Sequence, residues 1–339
     1  MMHGTFKSPK GTRKRGTVII MIIVMGLLAV GCNSKPKVHR VGILSGLDFF
    51  ADTADGFKAK MAELGYREGK DIVYDMQKTQ FDPVLEQRIL KKFVSDKVDL
   101  IVTFPTEVSL EAKAAVDGTN IPVVFANANI EGVGLVKSVR EPGGNITGVR
   151  YPGPDLAIKR FEILRGLAPK ARRIGVPYQR GYPIVASQLE VLRTAAATMG
   201  VTLIEIPADN AAELRAILRK RAEAGTTGMD ALLMISEPLA VSPDAFAVLG
   251  KFAAEHKIPI GGASIIVGKY ASVFGMSTDN IAVGRQAAVL AAKVLKGTPA
   301  GTIPVVSAES FLQINYKAAQ KLGLKVSEGL LSQASEIIR

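Results

Sequence analysis

The chain has 339 residues, with 43 Lys and Arg against 31 Asp and Glu, a formal charge of +12, three His and no Trp. Its single cysteine excludes a disulfide framework and thiol-based chemistry in the body of the protein. The abundance of Ala, Val, Ile and Gly is that of an α/β protein with material for buried sheets.

The amino end carries Lys7, Lys10, Arg13, Lys14 and Arg15 with no acidic residue, followed by the uncharged run GTVIIMIIVMGLLAVG from Gly16 to Gly31. A basic start, an apolar middle and small residues at the end mark a secretory signal peptide. The run is 16 residues long with Gly26 inside it, shorter than the roughly 18 residues of a membrane span. Ala29-Val30-Gly31-Cys32 then resembles a bacterial lipobox, with Ala29 where leucine is usual. That resemblance implies cleavage before Cys32 and a lipid thioether on its sulfur, which accounts for the lone thiol. Residues 1–31 are therefore expected to be a signal peptide and residues 32–37 a lipid-anchored tether. Losing the five basic residues of the leader lowers the charge from +12 to +7. The remaining Lys and Arg are dispersed, as on a solvated surface, and no nucleic-acid partner is expected.

Strand and helix alternate from Val38 onward. VHRVGILSG is a buried strand. DTADGFKAKMAELG is a helix with Asp52 as cap and Gly65 as stop. DIVYDMQ is a strand. DPVLEQRILKKFVSD is a helix capped by Asp82 with Pro83 at its first position. VDLIVTFP is a strand, TEVSLEAKAAVDG a helix capped by Thr106, and IPVVFANAN a strand. Such alternation demands a parallel sheet. EPGGNITGVRYPGP, residues 141–154, is rich in Gly and Pro and marks a boundary.

The second half repeats the first. ARRIGVPYQ matches VHRVGILSG, VTLIEIPA matches DIVYDMQ, MDALLMISEP matches VDLIVTFP, and HKIPIGGAS matches TNIPVVFAN. The offset runs from 131 to 137 residues, as in Gly42 to Gly175, Asp99 to Asp230 and Ile121 to Ile258. This is a duplicated lobe. GMSTDN then leads into the long Ala-rich helix IAVGRQAAVLAAKVLKG, and NYKAAQKLGL forms a late helix.

Two α/β lobes, several crossings and an export signal together resemble the solute-binding proteins of ABC importers. Three segments sharpen the match: IPVVFANANIEGVGLVKSVREPGGNITGV (121–149), GRQAAVLAAKVLKGTPAGTIPV (284–305) and INYKAAQKLGLKVSEGLLSQASEII (314–338). They resemble the ABC substrate-binding family that includes the tryptophan-binding type. The resemblance implies two similar Rossmann-like lobes with parallel sheets joined by a multi-crossing hinge, the periplasmic binding protein type I fold. Lobe 1 is expected over residues 38–149 plus 278–300, and lobe 2 over 150–277 plus 303–339. The hinges are expected at Arg150–Tyr151, around Gly275–Ser277 and near Ile303–Val305. It also implies an ABC permease and ATPase as partners and an exported, lipid-anchored location. Where the family commonly has Asp-Pro after VVFA, this chain has Asn129 and Ile130. In the second lobe, Pro177 to Tyr182 replaces an Asn-Pro-containing loop.

In parallel α/β sheets ligands lie beyond the carboxyl ends of the strands. That rule selects Ser45–Phe50, Thr103–Thr106 and Ala126–Ile130 in the first lobe. In the second it selects Tyr178–Tyr182, Ser236–Pro238 and Gly262–Ser264. Ser45, Thr103, Thr106 and Ser264 offer hydroxyls, with Asn127, Asn129 and Glu237 as further polar groups. Phe49, Phe104, Tyr151, Tyr178 and Tyr182 offer rings. A small carboxylate-bearing solute, an amino acid or an aromatic acid, fits that set. Asn129 in place of an acid tilts preference away from an ammonium, for which Glu131 and Glu237 are the other acceptors at hand.

Enzymatic classes find no support. His3 belongs to the leader, His39 to the tether and His256 to a surface helix, and no metal or cofactor is expected. No P-loop is present, Gly132-Val133-Gly134 lacks the third glycine of a dinucleotide fingerprint, and no G-x-S-x-G elbow occurs. A repressor would need a helix-turn-helix head before Val38. A non-transport sensor or surface lipoprotein of the same fold remains the other functional class.

The lipobox generates a test. Acyl chains contribute about 0.8 kcal/mol per buried methylene, and stable anchoring takes more than one chain. Cys32→Ser is expected to move the protein into the soluble fraction or to block its processing. A variant that stays membrane-bound at normal mature size would refute lipidation.

Overall fold

The structure is a computed structural model, and it describes residues 1–7, 37–266 and 268–339. The apolar run and Cys32 lie outside the described residues. Residues 1–7 contain no helix or strand, and every element among the described residues falls within His39–Arg339.

The first sheet has six parallel strands: β1 (His39–Ser45), β2 (Ile72–Lys78), β3 (Leu100–Phe104), β4 (Val123–Ala128), β5 (Ile146–Arg150) and β11 (Val306–Ser307), in the order β11-β5-β4-β3-β1-β2. Helices cover both faces, so its central strands carry almost unbroken apolar runs; all five residues of β3 are buried. On one face, α1 (Ala51–Glu63) and α9 (Asn280–Leu295) pack over Val41, Ile43, Val102 and Val124. On the other, α2 (Pro83–Ser95) and α3 (Thr106–Ala115) pack over Leu44, Ile101, Val123 and Phe125. Phe57 and Phe93 are both fully buried, each contributing about 1.5–3 kcal/mol by leaving water.

The second sheet has seven strands: β6 (Arg173–Gln179), β7 (Thr202–Ala208), β8 (Ala231–Met234), β9 (Ile260–Gly262), β10 (Phe274–Thr278), β12 (Ser310–Asn315) and β13 (Glu336–Ile338). Their order is β13-β12-β10-β9-β8-β6-β7. The helices of this lobe are α4 (Gly153–Leu167), α5 (Val185–Thr198), α6 (Ala211–Glu223), α7 (Pro238–Val241), α8 (Pro243–Glu255), α10 (Tyr316–Lys321) and α11 (Glu328–Leu331). Only the pairing of β12 with β10 is antiparallel. The path of the chain explains it: β11 ends at the carboxyl edge of the first sheet, so the chain enters the second lobe at the edge where β10 finishes and must run back.

The duplication is visible in bonding as well as in order. The Asp99 carboxylate accepts the Arg40 amide at 2.8 Å. Its counterpart Asp230 accepts the amides of Arg172 and Arg173, each at 2.8 Å. Asp82 caps α2 by accepting from Val84 and Leu85, with Pro83 in the first turn.

Several sequence expectations shift. Asp52 is no cap: α1 is preceded by a 3₁₀ turn over Asp48–Phe50, and Asp52 lies in its first turn. Thr106 is no cap either; its hydroxyl is spent on the Asn129 amide. The Gly- and Pro-rich segment 141–154 holds a strand, β5, and the boundary falls at its end. His39 begins β1, with its ring 5.7 Å from that of Tyr66, and belongs to no tether. The chain passes between sheets at Tyr151–Pro152, at Asp279 and at Ala308–Glu309. Gly275–Ser277 lies inside β10, and Ile303 and Val305 are buried against the first sheet. Val306 and Ser307, placed by the sequence with the second lobe, extend the first sheet.

After the second crossing, α9 is fastened to the first lobe by two glycines. A β-carbon on Gly284 would sit 2.0 Å from the Thr53 carbonyl, and one on Gly56 would sit 2.2 Å from that of Ile281. Gly284→Ala gains about 1 kcal/mol of helix propensity but forces α1 and α9 apart, at a typical overpacking cost of about 1–3 kcal/mol. We expect a lower denaturant midpoint for Gly284→Ala. Gly166→Ala, where no atom lies within 4 Å of the new carbon, is expected to raise it.

Candidate functional site

The carboxyl ends of both sheets face the region where the chain crosses, and the side chains chosen from sequence divide there into three groups. The first group is structural. Ser45 is fully buried and donates to the Leu47 carbonyl at 2.8 Å. Thr103 donates to Ser109 at 2.9 Å. Phe104 is buried in the first lobe beside Phe50. Tyr178 donates to Glu205 at 3.1 Å, and Glu205 in turn holds Arg193 of α5; burial raises the Tyr178 pKa. Glu237 is buried and caps α7, accepting the amides of Leu239 at 2.9 Å, Ala240 at 2.5 Å and Gln179 at 3.1 Å. Burial raises its pKa against those donors. The α7 amino end is thereby closed to an outside carboxylate. Ser264 is half-buried, and its carbonyl accepts from Ser272 at 3.3 Å. The side chain of Phe49 lies outside the described residues.

The second group fixes the crossings. Asn127, in the left-handed region at φ 52°, donates to Asn280 at 2.9 Å and to Thr53 at 3.4 Å, and accepts from Thr278 at 3.3 Å. It thus joins β4 to the second crossing. Tyr151, in the first crossing, is bonded through its hydroxyl to Ser236 and receives Arg160 at 2.7 Å. Glu131, one of the acceptors expected for an ammonium, is held by Arg150 at 2.5 Å, and Arg150 also holds Asp155.

The third group spans the lobes. The Tyr182 hydroxyl donates to Glu107 Oε1 at 2.7 Å, from the β6–α5 loop of one lobe to the first turn of α3 in the other. Burial first, and the Glu107 charge second, raise the Tyr182 pKa, so its phenol stays protonated and able to donate. Glu107 Oε2 is buried without a partner, and so is Asn129 Oδ1. Asn129 donates its backbone amide to Thr106 at 2.9 Å, which sets it beside the start of α3. Its Oδ1 crowds the amino end of α4, where a β-carbon on Gly153 would be 2.5 Å away.

Two buried acceptors are therefore unpaired here: a carboxylate oxygen of Glu107, whose other oxygen bonds across the lobes to Tyr182, and the amide oxygen of Asn129, whose backbone is bonded to the neighbouring Thr106. A buried acceptor without a donor costs about 1–3 kcal/mol, so the arrangement is suited to a donor brought from outside. Glu107 was missed from sequence because the strand-end window stopped at Thr106; one further residue, into the first helical turn, would have included it. Two cavities of about 820 and 590 Å³ lie on the flanks of the lobes, one lined by residues such as Leu110 and Lys137, the other by Lys159 and Leu330. Neither is lined by Glu107, Asn129 or Arg160.

A family model for ABC transporter substrate binding proteins matches residues 41–338. The chain belongs to this family. It is 32% identical over 275 residues to the tyrosine-binding protein of Clostridioides difficile strain R20291, covering 80% of this chain and 76% of that protein. A conserved domain protein from Vibrio cholerae is superposable with a TM-score of 0.74 at 26% identity, over 89% of this chain and all of that one. An ABC domain from Streptococcus pneumonia solved with L-Trp gives the same TM-score at 22% identity, again over 89% and 100%. The fold is the periplasmic binding protein type I fold, two α/β lobes with mostly parallel sheets. Family members hold a small-molecule solute on the extracytoplasmic side for an ABC permease and ATPase, and the chain is a binding protein, not an enzyme.

The Tyr182–Glu107 bond has a measurable consequence. A hydrogen bond to a charged group is worth about 1.5–3 kcal/mol. Tyr182→Phe removes it, and we expect the ligand-free protein to open, with a larger radius of gyration in X-ray scattering. An unchanged radius would show that this contact does not hold the lobes together.

Proposed function

We propose that the chain is the solute receptor of an ABC importer and takes an α-amino acid with an aromatic body between its lobes. The observation that carries this reading is the pair of unpaired acceptors, Glu107 Oε2 and Asn129 Oδ1, beside the inter-lobe Tyr182–Glu107 bond. An ammonium has three donors and no acceptor, enough to supply both oxygens. Glu107 supplies the negative charge that Asn129 lacks, so preference turns toward amine-bearing ligands and away from the deaminated acids that Asn129 alone would favour. The relatives support the class: one is named for tyrosine and another was solved with L-Trp. A ligand bonded to Glu107 from one lobe and to residues of the other favours the closed arrangement through its differential affinity. In this reading residues 1–31 are a signal peptide, residues 32–37 a tether lipidated at Cys32, and the two lobes meet at the three crossings. Ser45, Thr103, Phe104, Tyr178 and Glu237 then act as supports of the pocket walls.

Calorimetry decides the amine half. The wild type is expected to bind L-tyrosine or L-tryptophan more tightly than the matching deaminated acid. Glu107→Gln is expected to lose about tenfold in affinity for the amino acid, the gap between charged and neutral hydrogen bonds, and little for the deaminated acid. Equal binding of the two ligands by the wild type would overturn ammonium recognition. Tight binding of a neutral sugar would overturn the ligand class.

A further inference from the structure

Arg160 of α4 is fully buried, yet it forms no ion pair among the described residues. Its Nε donates to the Met276 carbonyl at 2.8 Å, its Nη2 donates to the Tyr151 hydroxyl at 2.7 Å, and its Nη1 is buried without a partner. A cation removed from water without a counter-charge is costly, and a fully buried arginine in this state needs an anion nearby.

The direction of the hydrogen bonds shows where that anion would sit. A guanidinium only donates, so Tyr151 accepts from Arg160, and the phenol's own proton is available to Ser236, the next atom in the chain of contacts, in a bond that either hydroxyl can donate. With Tyr151 as the donor, Ser236 Oγ accepts, and its own proton is left to donate onward. Ser236 is positioned by Gln188, which accepts its amide at 3.3 Å and donates to its carbonyl at 2.9 Å. It is half-buried just past the end of β8, on the strand-end side of the second lobe. Chains of this kind polarise one another in a low dielectric. The outermost hydroxyl therefore presents a proton backed by a full positive charge.

We propose that the Arg160–Tyr151–Ser236 relay is the acid-recognising pole of the cleft: Ser236 donates to the carboxylate of the bound amino acid, and Arg160 is the positioning residue whose charge that carboxylate compensates. The proposal rests on the amino-acid reading given above. It assigns discrimination for a free carboxylate to Arg160 and Ser236 of the second lobe and Tyr151 of the first crossing, with the Glu107 and Asn129 pole in the first lobe. Arg160 also holds Met276, two residues before the end of β10, while Tyr151 sits in the first crossing. Neutralising the guanidinium thus acts where the chain passes between lobes.

The test compares L-tyrosine with L-tyrosinamide, which keeps the ammonium and lacks the carboxylate, by calorimetry at about pH 6, where both amines are protonated. The wild type is expected to prefer the free acid. Ser236→Ala is expected to reduce the acid-to-amide ratio about tenfold, Ser236→Thr to retain it, and Tyr151→Phe to reduce it with Arg160 left in place. A merely structural role would weaken both ligands alike and leave the ratio unchanged, and that result in Ser236→Ala would overturn the relay. So would equal affinity of the wild type for acid and amide. Deaminated tyrosine separates the two readings: if it binds as tightly as L-tyrosine, ammonium recognition fails while the relay stands.

Discussion

A buried arginine with no acidic partner among the described residues is the constraint around which the junction of the two lobes is built. Arg160 is enclosed because α4 follows the first crossing directly and lies against the sheet of the second lobe, with Leu156, Phe161 and Leu164 in the core on either side of it. Its planar fork reaches two segments, the Met276 carbonyl and the Tyr151 hydroxyl. An apolar residue of similar volume would fill the space with less desolvation cost. A charge retained here is therefore explained by what it can reach, and what it reaches leads to the strand ends.

Against that positive pole stands a negative one in the other lobe. Glu107 occupies the first turn of α3, where a carboxylate also gains from the helix dipole, and the bond to Tyr182 consumes only one of its oxygens. Asn129, whose backbone is bonded to the neighbouring Thr106, adds an unpaired amide oxygen. A zwitterion is the smallest solute that would complete both poles together. A sugar would meet neither charge, and a simple acid would leave Glu107 buried with an oxygen unmet.

Much of this architecture could be read from residues alone, because periodicity and duplication are strong signals. The matched pairs Gly42 and Gly175, and Asp99 and Asp230, turn out to hold equivalent positions on β1 and β6 and at the entries of β3 and β8. Less legible was anything decided by side-chain direction. Tyr178 near the end of β6 and Tyr182 in the loop after it are four residues apart, yet the first bonds to Glu205 within its own lobe and the second reaches the other lobe. Asp52 and Thr106 have the composition of helix caps, but the backbone enters α1 through a 3₁₀ turn and spends the Thr106 hydroxyl elsewhere. The crossings were misplaced by a few residues for the same reason. GMST lies within β10, and the ITG that ends PGGNITG begins β5, because neighbouring strands pair with them.

Arg160 and Glu107 escaped notice because each looks ordinary in one dimension. Arg160 lies in DLAIKRFEIL among other basic residues, and nothing local says which of Lys159 and Arg160 faces inward. Only the helix face decides: Arg160 falls four residues after Leu156 and four before Leu164, on the buried stripe. Charge on an apolar stripe is the sign that a sequence can show, and it is uncommon enough to merit attention wherever a helix follows a lobe crossing. In this chain it points along a line of hydrogen bonds, from guanidinium to phenol to serine, and among the described residues the Ser236 hydroxyl bonds only to Tyr151. On the reading proposed above, a ligand finishes this line, and the guanidinium at its root calls for a negative charge at that end.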